Sequence, residues 1–424
     1  MPALQQVNDH NLRMPMSMPE RPGFETASPE QVPAKGKPSI LLLTTSYPLS
    51  PGSVSGVFVK RLACALAEVC QLEVLAPSAT QRGVHAEGEP SVHEFRYAPR
   101  AFQVLAHGAG GIPTALRENR FNALLIPLFL LSMLWSCWKL AKGKDVLFAN
   151  WSICGVIAGV IGALRGTPVV VTLRGEDANR VASSLASRWM LRLCGWLCSR
   201  IVTVSEAMGS RLQLAMPALA QKLEVIPNGV AQPFLSVSPT QAGSEELRLL
   251  CVASLIPRKS VSTLVRALAL SSPNVSLTLI GEGGEQASLE ALATRLGVRS
   301  RIEFLPFQAP EKLPAYLAAA DVLVLPSRAE GRPNVVLEAF AASRPVIATA
   351  IDGLFELVGQ DQRGLLFPVG DSEALARCIA RLGDFELRSQ LGVNARRYIE
   401  DEGLTWQRSA QRYANIFQYL RSRN

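Results

Sequence analysis

Residues 319–349 read Ala319-Ala-Asp-Val-Leu-Val-Leu-Pro-Ser-Arg-Ala-Glu-Gly-Arg-Pro-Asn-Val-Val-Leu-Glu-Ala-Phe-Ala-Ala-Ser-Arg-Pro-Val-Ile-Ala-Thr349. The apolar run up to Pro326 has the composition of a strand buried on both faces of a parallel sheet. Pro333 and Asn334 suit a helix start, so the spacing predicts a helix from Val335 to Ala342. The Pro-Val-Ile-Ala run that follows is the next strand. Two carboxylates bracket the helix start: Glu330 in the loop and Glu338 about two turns further on. Backbone N–H groups at a helix N-terminus, reinforced by the helix dipole, suit a diphosphate. Carboxylates only accept hydrogen bonds when ionised, which suits the hydroxyls of a sugar or a ribose. The segment therefore reads as a site for a polyhydroxylated anion.

The rest of the chain sets the context. At 424 residues it exceeds one ordinary core and implies two domains of roughly 180 to 200 residues. Hydrophobic residues make up 48% and charged residues 18%, a globular composition leaning toward burial. A net charge of +8 fits nucleic acid, an anionic membrane surface or a phosphorylated substrate. With 6% aromatics and no RRM, zinc-finger or helix-turn-helix pattern, nucleic acid is set aside. Most of the eight cysteines sit in apolar runs, and Cys194 and Cys198 have no partner pair, so reduced core thiols and a cytoplasmic setting are expected. His10, His85, His93 and His107 do not fall at metal-ligand spacing and no D-x-D occurs, so no metal is expected. The first 38 residues lack periodicity and read as a disordered tail without a secretory h-region.

From Ser39 onward, strand and helix patterns alternate. Ile40–Thr45, Gln71–Pro77, Asp145–Ala149, Pro168–Leu173 and Arg200–Val204 read as strands of one α/β domain, taken as 39–235. A polar linker follows at 236–246. Leu247–Ala253, Ser276–Ile280 and Arg301–Leu305 open a second such domain at 247–400, and 401–424 reads as a final helix around Trp406. Several loops after strands carry chemistry. Ala253-Ser-Leu-Ile-Pro-Arg-Lys-Ser260 offers Arg258 and Lys259, cations suited to phosphate. Thr172-Leu-Arg-Gly-Glu-Asp177 offers Arg174 and Asp177. Ser50-Pro-Gly-Ser-Val-Ser-Gly56 ends in a glycine that a diphosphate can approach closely. Ile280-Gly-Glu-Gly-Gly-Glu285 has Gln286 where a dinucleotide fingerprint needs glycine, so a nicotinamide cofactor is not expected.

The string from the buried strand through Glu330-Gly-Arg-Pro-Asn334 to Glu338 resembles the E-x7-E signature of retaining glycosyltransferases of family 4, and the resemblance extends over nearly the whole chain from Ser39. It implies the GT-B architecture: α/β, two Rossmann-like doubly wound domains facing a cleft, with the last helix returning to the first domain. In that family the first Glu lies against the donor sugar and the second holds the nucleotide's ribose, roles that pass to Glu330 and Glu338. Gly331, Arg332, Pro333, Asn334 and Val335 then border sugar and diphosphate, chiefly through backbone N–H groups, which Pro333 lacks. Arg258 and Lys259 neutralise the leaving diphosphate, and Gly56 and Arg174 border the donor. Asp177 joins Glu330, Arg258 and Lys259 as a catalytic candidate, reading equally as a ligand of substrate hydroxyls or as a structural carboxylate. Three positions depart from the pattern: Ser254 replaces an Arg, Ser260 a Gly and Arg174 a His. Arg174 cannot serve as a base near neutral pH, but it can steady a phosphate or an acidic sugar.

The resemblance implies transfer of a hexose from a UDP- or GDP-sugar, with retention and without cofactor or metal. The acceptor would be lipid-linked or a polysaccharide, in cell-envelope or exopolysaccharide synthesis. Another GT-B enzyme such as a nucleotide-sugar epimerase, or a non-catalytic sugar-binding relative, is the alternative. The most apolar stretch, Asn122–Trp138, reads either as a buried core helix or as a helix lying in an anionic membrane surface, with Trp135 and Trp138 at the interface and Lys139, Lys142 and Lys144 beyond. A transmembrane span there would interrupt the first domain between strands.

Overall fold

The computed structural model describes residues 36–49, 56–78, 89–106, 112, 115–116, 119–175, 184–239, 246–359 and 361–424. The amino-terminal tail to residue 35, residues 50–55, Asp177 and most of the expected linker lie outside these. The described residues form one compact unit.

The first half runs β1 (Ser39–Leu43), α1 (Val57–Val69), β2 (Gln71–Pro77), β3 (Ser91–Phe95), α2 (Leu125–Leu140), β4 (Val146–Asn150), α3 (Ser152–Arg165), β5 (Val169–Leu173), α4 (Leu185–Leu197), β6 (Arg200–Thr203), α5 (Glu206–Ala215) and β7 (Leu223–Val225). These strands form one parallel sheet in the order β3-β2-β1-β4-β5-β6-β7. Parallel strands need helices on both faces, and the sequence supplies them: β4 and β5 are buried along their whole length. One face packs on α2, α3 and α4 through Met133, Ile157 and Leu191. The other packs on α1. Ser184 and Ser205 cap α4 and α5 by accepting N–H bonds from Ser187 and Met208, as helix starts require.

The second half follows with α6 (Gln232–Leu235), β8 (Leu247–Val252), α7 (Val261–Ala269), β9 (Val275–Ile280), α8 (Gln286–Arg295), β10 (Ile302–Leu305), α9 (Leu313–Ala319), β11 (Val322–Leu325), α10 (Asn334–Ala341), β12 (Val346–Thr349), α11 (Asp352–Val358), β13 (Gly364–Phe367), α12 (Ser372–Arg381), α13 (Phe385–Asp401) and α14 (Trp406–Ser422). Its parallel sheet has the order β10-β9-β8-β11-β12-β13. The helix expected from Val335 starts one residue earlier, at Asn334, with Pro333 as its N-cap. Arg344, just past α10, is buried and donates to the carbonyls of Ala320 at 2.7 Å, Leu317 at 2.8 Å and Ser238 at 3.0 Å. Burial pulls its guanidinium down to about 10, still charged at neutral pH.

One segment changes sides relative to the sequence reading, and the last helix packs away from the half it follows. Residues 232–235, read with the first half, carry Phe234 into the core of the second, beside Leu250, Phe340 and Leu404. Conversely α14 crosses back to the first half, where Trp406, Tyr413, Phe417 and Leu420 pack with Ile40, Leu66 and Phe148. The Tyr413 hydroxyl lies 2.9 Å from Thr172 Oγ1. Helix α2 is buried on one side only: Phe129, Met133 and Cys137 lie in the core, while Leu128, Leu131 and Trp135 stand in solvent.

Candidate functional site

The strand order of the second sheet reverses between β8 and β11. Open α/β sheets take ligands beyond the carboxyl ends of their strands at such a switch point. Both loops leaving this point carry anticipated residues. Arg258 and Lys259 follow β8, and Glu330 follows β11. Lys259 Nζ donates to Glu330 Oε1 at 2.5 Å across a separation of 71 residues. Their side chains are only 16% and 7% exposed, so the pair is shielded from bulk water. The Arg328 N–H donates to the Arg258 carbonyl at 2.9 Å, zipping the two loops together. Thr349 Oγ1 anchors the base of the β11 loop by donating to the Ser327 carbonyl at 2.5 Å.

Helix α10 opens from the same loop with Pro333 at φ −69°, ψ 122°, and no side chain caps it. Its leading N–H groups thus project from the switch point. Glu338, further along α10 and buried, receives a charge-assisted hydrogen bond from Arg61 of α1, in the other half. Arg61 also lies 5.5 Å over the Phe234 ring.

The first half contributes its own strand ends. Arg174, directly after β5, donates through Nε to Asn150 Oδ1 at 2.9 Å and through Nη1 to Asn228 Oδ1 at 2.6 Å. Its guanidinium lies 5.1 Å over the Phe58 ring. Asn228 Nδ2 then donates to Asn334 Oδ1 at 2.8 Å, at the first residue of α10. A continuous side-chain relay thus runs from the end of β4 to the helix start in the other half. Gly175 and Gly331 let the two loops meet there: a Cβ on Gly331 would stand 3.2 Å from the Arg174 carbonyl oxygen. Trp151, which follows Asn150, holds φ 69° and ψ 152°, a region that non-glycine residues enter only under constraint. Its ring meets Phe58 edge-on at 6.1 Å.

Glu330, Lys259, Gly331, Pro333, Asn334 and Glu338 are thus gathered by one loop–helix unit and its β8 neighbour, with Arg174 brought in from the other half. Two of the expected residues are also tied into the fold itself. The Arg332 side chain turns away and is buried, donating to Glu356 Oε1 at 2.9 Å and Tyr398 OH at 3.3 Å. A buried guanidinium needs a carboxylate partner, and Glu356 supplies it while also accepting the Ala207 N–H at 3.1 Å. Arg332 is a brace between loops, and only its backbone lines the site. Gly56 has a reason of its own within the fold. It caps α1 at φ 83°, where a Cβ would lie 2.4 Å from the Ser46 carbonyl oxygen.

Sequence reasoning missed Arg61, Asn150 and Asn228. Asn228 falls in Pro227-Asn-Gly229, which reads as turn chemistry, and Arg61 is one charge on an amphipathic helix. Neither carries a local signal of its partner. Among the described residues no group of three or more His, Cys, Asp or Glu is placed to hold a metal ion. In chemical terms, the site offers carboxylates for hydroxyls, cations for an anion, and a helix N-terminus between them.

Comparison with known proteins accords with this geometry. Residues 55–231 match the family described as Glycosyltransferase Family 4, and residues 238–398 match Glycosyl transferases group 1. An uncharacterized glycosyltransferase of Methanocaldococcus jannaschii is 26% identical over 298 residues, 68% of this chain and 81% of that protein. The lipopolysaccharide core biosynthesis glycosyltransferase LpsE of Rhizobium meliloti is 36% identical over 144 residues, 34% of this chain and 42% of that one. The crystal structure of Anabaena HepE in complex with UDP and glucose shares the fold, with a TM-score of 0.70 at 22% identity, covering 90% of this chain and 99% of that chain.

Proposed function

The chain belongs to the group 1 glycosyl transferases and has their two-domain GT-B fold, and from that premise we propose that it transfers a hexose, with retention, from a nucleoside-diphosphate sugar to a saccharide acceptor that is lipid-linked or a growing polysaccharide. The observation that carries this reading is the Lys259–Glu330 contact at the uncapped start of α10. A carboxylate and an ammonium at one helix N-terminus match the two ends of a sugar diphosphate. On this reading the phosphates take Lys259 and Arg258, Glu330 turns to the hexose, and Glu338 exchanges Arg61 for the ribose hydroxyls. Negative charge grows on the departing diphosphate, so preorganised cations and N–H groups there supply the main catalytic term, without a metal. The names of LpsE and of an amylovoran biosynthesis glycosyltransferase of Erwinia amylovora, 29% identical over 182 residues, support a surface-polysaccharide acceptor. The UDP and glucose in the HepE complex support a UDP-hexose donor.

A thermal-shift panel of UDP- and GDP-sugars, followed by transfer assays, tests this. One donor raises the unfolding midpoint, as mass action requires of a ligand that binds only the folded state. Glu330→Gln keeps that shift while transfer falls on the order of 10²- to 10³-fold, the scale of removing one preorganised group. No shift with any sugar nucleotide, or undiminished transfer by Glu330→Gln, overturns the proposal. Conversion of the donor to an isomeric sugar without acceptor identifies an epimerase instead.

A further inference from the structure

Helices α2, α3 and α4 form one layer on the same face of the first sheet, with α3 packed against both neighbours. The outer side of that layer is apolar. On α2 and the turn before it, Leu124, Leu128, Leu131, Trp135 and Trp138 recur at steps of four and three residues, so they share one helix face, and all are exposed. On α4, Leu185, Trp189, Leu193 and Trp196 do the same, with Trp189 61% and Trp196 80% exposed. Leu164 of α3 stands exposed between them. Four of the chain's six tryptophans therefore point outward from a single layer, while Trp406 is buried.

The charges on this layer have one sign. Lys139, Lys142, Arg188 and Arg192 are exposed on it, and residues 121–144, 146–175 and 184–205 contain no Asp or Glu. The cations sit over the rings: Lys139 at 4.8 Å from Trp135, Arg165 at 4.0 Å from Trp138 and Arg192 at 5.3 Å from Trp189. Indoles and basic groups at one level match the boundary of a bilayer, where rings sit among headgroups and cations meet lipid phosphates.

We propose that the outer face of the α2–α3–α4 layer docks the enzyme flat onto an anionic phospholipid surface. A second copy does not fit this face, because it would bring the same cations together. Spanning the membrane does not fit either. The segment Arg120–Leu140 has a mean hydropathy of 1.7, enough for a span, but Phe129, Met133 and Cys137 are locked in the core with Phe95 and Tyr97 edge-on to Phe129. The helix therefore lies along the surface, its outer side chains entering the headgroup region while its inner ones stay packed.

Co-sedimentation of the full chain with phosphatidylcholine vesicles, with and without phosphatidylglycerol, tests this. Binding should be strong only with the anionic lipid, and brominated acyl chains should quench tryptophan fluorescence. The triple variant Trp135→Glu, Trp189→Glu, Trp196→Glu changes only exposed positions, so its thermal midpoint should hold while vesicle affinity falls about tenfold or more. Absence of wild-type binding, equal binding by the triple variant, or bound protein without bromine quenching overturns the proposal. A concentration-dependent dimer abolished by the same substitutions also overturns it, in favour of a protein interface.

Discussion

At the scale of single residues, the same side chain can answer to the fold or to the ligand, and geometry separates the two. Gly56 illustrates this. Its left-handed φ of 83° and the Ser46 backbone at 2.4 Å from a Cβ position require glycine whether or not a phosphate approaches. Gly56→Ala should therefore lower stability by roughly 2–4 kcal/mol, the sum of left-handed strain and a backbone clash, measured by urea denaturation without any ligand. A loss of donor affinity with unchanged stability would put the ligand reading back in place. Arg332 is a second such case. The resemblance places its backbone N–H beside the donor, while its buried side chain braces the loop against Glu356 and Tyr398.

At the scale of elements, α14 decides how the two halves hold together. Trp406, Tyr413, Ile416, Phe417 and Leu420 are all buried on the first half, although the helix follows the second in sequence. At about 1.5–3 kcal/mol for each large side chain, that face contributes roughly 8–15 kcal/mol, comparable with the whole stability of a domain. A chain ending at Leu404 should accordingly accumulate as aggregate or as a partly unfolded species with an exposed first-half core, seen as dye binding and loss of the cooperative transition. A soluble truncation that still melts cooperatively would show that α1 and β4 do not need this cover. The opening stretch behaves as a unit at this scale too, with β11, the Glu330 loop and α10 delivering carboxylate and helix start together.

At the scale of the whole molecule, the seam between the sheets is polar and discrete. Arg61–Glu338, Asn228–Asn334 and Glu356–Ala207 cross it near the site. Polar links of this kind suit a cleft that opens and closes around a ligand, because each can be exchanged for a ligand group. The double variant Arg61→Leu, Arg174→Leu should loosen this coupling, so that calorimetry resolves two transitions where the wild type shows one. A single unchanged transition would mean that α14 alone couples the halves.

The sequence by itself determined the fold class, because the signals are local: buried Val/Ile/Leu runs, helical periodicity and capping residues each act within a few positions. It also determined that Glu330, Arg258 and Lys259 belong to loops at strand ends and Glu338 to the helix after one, since those segments follow their strands in the chain. What only the tertiary structure decided is which side chains face one another across the chain. Arg61 reaches Glu338 over 277 residues, Asn228 bridges Arg174 to Asn334, and Phe234 joins the second core. Those pairings depend on how two sheets close against each other, and nothing in a residue's own neighbourhood encodes the strand end it will meet.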